Sequence, residues 1–166
     1  MSFGEIASEL FKFIGQVAIV GLGWVVVHKL TITRELEKTR REMLLNGVDD
    51  LLSAVNNVFT DARKYHASKE RDVSLEVSIK MALQDISVKL EQISRLTSAG
   101  TSEGCGKSFI GLKRAITLVD FEDEHNGSLH DGSSLQQLIV AQALSLKRSL
   151  YELKYDEVAR GLAASR

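Results

Sequence analysis

Hydrophobic positions along this chain form one unbroken block followed by four interrupted stripes. The block is residues 13–27, FIGQVAIVGLGWVVV, where Gln16 alone has a side chain with a strong need for hydrogen bonds. Leu10, Phe11 and Leu30 extend it, with Lys12, His28 and Lys29 at its ends. The resulting segment of about 18 to 21 residues is enough to cross a ~30 Å hydrocarbon layer as a helix. A secretory signal peptide has a basic start, a shorter apolar run and a small-residue cleavage site. Here the start reads MSFGEIASE and the run closes in WVVVHKL, so an uncleaved transmembrane anchor is expected. Lys29, Arg34, Lys38, Arg40 and Arg41 follow the block, against Lys12 before it. That bias predicts a plasma (inner) membrane protein with its N-terminus outside and its C-terminal domain in the cytoplasm. Trp24 and Lys29 are the expected interface anchors, a ring and an ammonium at headgroup level.

Ahead of the block, Glu5, Glu9, Lys12 and Gln16 fall within about 60° of one another on a helical wheel. They make one polar stripe. Either it lies at the headgroups with Lys12 reaching water, or several copies turn it inward, where the charges satisfy one another or line a wet path.

After the anchor, TRELEKTRRE (residues 33–42) is polar on nearly every face and carries a Glu37/Arg41 pair at i,i+4, as expected of a solvated helical stalk. The first stripe follows. Leu44, Val48, Leu51, Val55, Val58, Ala62 and Tyr65 step by 4 and 3 alternately, a heptad seam typical of coiled coils, and Leu45, Leu52 and Phe59 widen it to bundle proportions. A polar turn at residues 66–72 ends that helix, with Asp72 or Ser74 as the next cap. Helix two, about residues 73–97, uses Leu75, Ile79, Leu83, Ile86, Leu90, Ile93 and Leu96. SAGTSEGCG then reads as a flexible loop, and a shorter helix over about residues 107–122 uses Phe109, Leu112, Ile116 and Val119. The last helix is expected from Ser133 or Ser134 to about Ala164, opened by a Ser133/Gln136 capping box. Its buried face would be Leu135, Ile139, Ala143, Leu146, Leu150, Leu153 and Val158. The expected fold is therefore all-α: a single transmembrane helix (1–30), a polar stalk (31–43) and an antiparallel four-helix bundle (44–166), its first helix able to run on from the anchor.

Composition agrees with long helices and narrows the partners. The chain has 166 residues and no proline, so nothing in it forces a helix to break. Its 21 basic and 22 acidic residues are well mixed, net −1, leaving no basic face for nucleic acid. The single Cys105 cannot form an intrachain disulfide.

Two segments hint at chemistry. Gly104, Gly106, Lys107 and Ser108 resemble the end of a P-loop of transporter-type ATPases, but Thr101 stands where the first glycine of the phosphate cradle belongs, and helical rather than strand sequence precedes it. The expected role is a glycine-rich hinge, with Ser108 capping the next helix. Asp120, Glu122, Asp123, Glu124, His125, His130 and Asp131 offer metal-type donors without any recognised ligand spacing, so a solvated acidic loop is expected. His66 has no placed partners, and Cys105 lies beside Lys107, which can lower a thiol pKa. No catalytic group, metal, cofactor or small-molecule substrate is expected. The sequence points to a membrane-anchored interaction or scaffold protein whose partners are the lipid bilayer and either a second copy or another helical protein, with residues 44–58 (Leu44, Val48, Leu51, Val55, Val58) as the partner seam if the bundle leaves them open. The alternative is an oligomeric membrane-perturbing effector of toxin, holin-like or phage-defence type, its pore lined by the polar stripe.

Overall fold

In the computed structural model, the described backbone covers residues 3–68, 70–97, 99–117, 121–122 and 133–164, and the described side chains are those from residue 21 onward apart from 99–102 and 164. Every element among them is helical: α1 (Phe3–Ala67), α2 (Val73–Leu96), α3 (Ala99–Thr117) and α4 (Ser134–Ala164). The segments expected as anchor, stalk and first bundle helix thus fall on one helix, α1. The chain divides into two compact units, Met1–Arg41 and Glu42–Arg166.

Among the described residues of Met1–Arg41 the only element is the first part of α1. Among the described residues no helix is long and apolar enough to cross a membrane. Of the expected span, the side chains of residues 1–20 lie outside the described ones. In the segment expected as a stalk, Glu37 accepts from Arg40 Nε at 3.4 Å, one position earlier than the Arg41 expected from i,i+4 spacing.

The second unit is a bundle in which sequence neighbours run antiparallel. Gly47 near the start of α1's bundle portion meets Ile93 near the end of α2. Asp49 pairs with Lys154 late in α4, while Arg63 bonds Gln136 early in it. The α1 heptad is the centre of the core: Leu44, Val48, Leu51, Val55, Val58, Ala62 and Tyr65 are all 0% exposed. Burying this many branched side chains at roughly 1.5–3 kcal/mol each is what holds α1 in place. Ile79, Leu83, Ile86 and Ile93 of α2 meet it, with Leu90 partly buried.

Helix starts follow local chemistry. Asp72 caps α2, its Oδ1 accepting from Leu75 N at 3.0 Å. Ser133 Oγ accepts from Gln136 N at 3.3 Å, half of the expected capping box. The other half is absent because the Gln136 side chain turns inward to bond Arg63.

Two expectations change. First, α3 begins at Ala99, so the glycine-rich segment is helix rather than loop, and Ser108 sits inside it rather than capping it. The reason is packing. Among the described residues α3 and α4 pack closely against each other, and that closeness needs small residues. Gly104 faces Ser149, and a Cβ at Gly111 would stand 2.3 Å from Gln142 Oε1. Between them Ser108 Oγ lies 3.2 Å from both Ser145 Oγ and Ser149 Oγ. Second, the inner face of α4 runs Ile139, Ala143, Leu146, Leu150, Leu153 and then Glu157, keeping the 4,3 rhythm, while Val158 is turned outward. Val119, expected on α3's buried face, lies outside the described residues.

Candidate functional site

The C-terminal ends of α1 and α3 and the N-terminal end of α2 meet in a group of bonded polar side chains. Tyr65 and His66 close α1 and are buried. His66 Nε2 lies 3.0 Å from Ile116 O; a carbonyl only accepts, so this nitrogen carries the proton and ties α1 to α3. Phe121 packs beside Tyr65 with ring centroids 5.0 Å apart. Glu122 stands at φ 82°, a left-handed conformation that costs a side-chain-bearing residue about 1–3 kcal/mol. It is held there from two sides: its N–H donates to Tyr65 Oη at 3.3 Å, and its carboxylate pairs with Lys80.

At the centre is Glu76, 3% exposed. Its Oε2 accepts from Arg71 Nη2 at 2.9 Å and Nε at 3.0 Å, and its Oε1 from Lys80 Nζ at 2.9 Å. Hydrogen bonding from Lys80, then from Arg71, holds the Glu76 carboxyl below its ordinary pKa against the opposing pull of burial. A carboxylate this enclosed is tolerable because each oxygen is bonded to a cation. The group acts as a lock on the end of the bundle, with its charges spent on one another.

The other candidate residues are not drawn together. Cys105 is buried against the α2–α4 side of the bundle in a small cleft lined by Leu90, Ile93, Ser94 and Leu153. Burial, and then the charge of Glu152, push its thiol pKa up. Lys107, expected to lower it, is instead engaged by Glu103 at 2.7 Å. Asp120, Asp123, Glu124, His125, His130 and Asp131 lie outside the described residues, and among the described residues no group of His, Cys, Asp and Glu could hold a metal. The stripe Glu5, Glu9, Lys12 and Gln16 lies outside the described side chains. Trp24 is exposed and stacked on His28, ring centroids 5.1 Å apart, and Lys29 is exposed. Leu44, Val48, Leu51, Val55 and Val58, the expected partner seam, are filled inside the chain's own bundle, so in this fold they are not open to a partner.

Sequence reasoning missed the surface that is open. Leu144, Tyr151, Tyr155, Val158 and Leu162 of α4 are 39–71% exposed and recur at 7,4,3,4 spacing. The signal was present as a second periodicity on the same helix, hidden by the inner stripe one residue away. Comparison with known protein families, with curated proteins and with solved structures gives no match.

Proposed function

We propose that this chain is a single-pass membrane-anchored helical protein that works through protein–protein contacts or self-assembly, without chemistry of its own. Its anchor is residues 1–30 with the N-terminus outside, and its bundle faces the cytoplasm from the plasma (inner) membrane. The observation that carries the reading is the surface of α1 between residues 22 and 32. Leu22, Trp24, Val25, Val26, Val27, Leu30 and Ile32 are 43–68% exposed and spread around the whole helix. Upstream the same composition continues to Phe13. A lone helix apolar on every face is stable only when lipid or other helices surround it.

Carbonate extraction of membranes from expressing cells tests this. The full chain should stay in the pellet, and a chain starting at Thr31 should be released; a full chain released by carbonate refutes the anchor. The polar stripe favours a second reading, an oligomeric pore. Replacing Glu9 and Lys12 together by Leu should abolish any conductance while leaving an anchored scaffold intact.

A further inference from the structure

The outer face of α4 is the contact that the bundle itself does not use. On a helical wheel the outer stripe sits about 135° from the buried one, so α4 is apolar on two separate faces. Core packing explains the inner face alone. The outer residues fit a heptad with Leu144, Tyr151 and Val158 at d and Tyr155 and Leu162 at a, and Arg148 as the single charged a residue. We propose that this seam binds a second copy of the same chain, helix α4 against helix α4 in parallel around a two-fold axis. The proposal deepens the reading above and rests on it for the local concentration that tethering to one membrane provides.

Charge selects both the occupant and the direction. The g flank of the seam, on the α1 side, carries Lys147 and Lys154. The e flank, on the α3 side, carries Glu152. Parallel two-fold pairing sets the g flank of each copy against the e flank of the other, bringing Lys147 to the partner's Glu152 twice by symmetry. Antiparallel pairing in the register that stacks Tyr151 on Tyr155 sets like flanks together, with Glu152 against Glu152, while Lys154 is already paired with Asp49 of its own α1. Arg148 is bonded to Glu152 of its own helix at 2.9 Å, so its charge is partly met before the copies join. A lone charged a position fixes register at some cost in stability. Ala159, exposed beside Val158, leaves room for close approach at the C-terminal end.

The area sets the strength. At the observed exposures the five side chains offer roughly 500 Å² per copy, or about 1,000 Å² in all, at the low end for a specific pair. Such a contact is weak between free molecules and becomes populated when both copies are confined to one surface.

The test uses the full chain in native membranes or nanodiscs, with Cys105→Ala to remove the internal thiol. Tyr151→Cys should give a covalent dimer under mild oxidation at least about tenfold faster than Lys113→Cys, an exposed site off the seam, because facing d positions fall within disulfide reach. Adding Tyr155→Lys should return the rate to the control value. Lys147→Glu should slow cross-linking, and Lys147→Glu combined with Glu152→Lys should restore it. Circular dichroism checks that each variant keeps its helix content. Cross-linking at position 151 no faster than at 113, or a charge swap that fails to restore it, overturns the proposal. Failure of the underlying reading is separate: a chain that pellets with membranes but does not cross-link loses the seam and keeps the anchor, whereas a carbonate-released chain that cross-links loses the anchor and keeps the seam.

Discussion

Alanine at Gly104 and Gly106 should make this protein more stable. In a loop with left-handed glycines the same changes would be harmful, so the experiment bears directly on the start of α3. Glycine inside a helix costs about 0.8–1.0 kcal/mol relative to alanine, through the backbone freedom it loses on folding. At Gly106 a new Cβ meets nothing within 4 Å, and at Gly104 only Ser149 Oγ at 4.0 Å, an ordinary contact. Each substitution should therefore return close to the full propensity term, about 1.5–2 kcal/mol for the pair. Gly111→Ala is the internal contrast. Its Cβ would lie 2.3 Å from Gln142 Oε1 and 3.1 Å from its Cδ, so the amide must swing away and most of the gain is offset. Urea unfolding of the full chain in mild detergent, followed by far-ultraviolet circular dichroism, reads the difference. With a slope of about 2 kcal/mol/M, the double variant should raise the midpoint by roughly 0.8–1 M, and Gly111→Ala by much less. A double variant with a lowered midpoint would refute the helical start of α3 and the packing argument built on it.

The polar lock and the buried thiol give two further expectations. Glu76→Gln should destabilise by about 2 kcal/mol, since it weakens the bonds of a buried carboxylate to two cations. Because the folded-state pKa of Glu76 lies below its ordinary value, its contribution is present above the usual carboxylate range near 4.3 and is lost as pH falls through the lowered folded pKa. The gap between wild type and Glu76→Gln in urea titrations should therefore narrow below about pH 4; an unchanged gap at pH 3 would contradict the assignment. Cys105 should react with iodoacetamide at pH 7 at least about a hundredfold more slowly than a free thiol, the denatured chain reacting normally; labelling of the folded chain at the free-thiol rate would contradict its burial.

What the sequence disclosed tracks how local the cause was. The α1 seam was legible residue by residue because all seven positions from Leu44 to Tyr65 obey one period and all are used for one purpose. Asp72 as a cap was legible for the same reason: its bond to Leu75 spans three residues. The start of α3 was not, since three glycines and two serines within nine residues argue for a loop locally, and the reason they are helical lies on α4, with Ser145 and Ser149 about forty positions from Ser108. The lock divides in the same way. Glu76 with Lys80 is an i,i+4 pair visible in the sequence, and Arg71 stands only five positions before Glu76, whereas Glu122 and Tyr65 join them only once three helix ends have come together. Glu157 replacing Val158 on the inner face of α4 shows how hydrophobicity can mislead by one residue: the rhythm was right, and the more apolar neighbour belonged to a different seam.

That difference between seams can be measured by truncating one leucine from each. Leu51 is fully buried at the centre of the α1 heptad, and Leu51→Ala removes its packing and leaves a cavity, which should cost about 2–5 kcal/mol. Leu144 is 59% exposed on α4, and Leu144→Ala should change the stability of a single copy by no more than about 0.5 kcal/mol. If the outer seam joins copies, folding and association are linked, and the melting temperature of the wild-type chain must rise with protein concentration. Leu144→Ala should flatten that dependence while leaving the dilute-limit melting temperature in place. Leu51→Ala should do the reverse, lowering the whole curve and keeping its slope. Both variants lowering the curve equally would mean that α4 spends both faces on the fold, and a wild-type curve flat from micromolar to millimolar protein would leave the outer seam without a second copy to cover it.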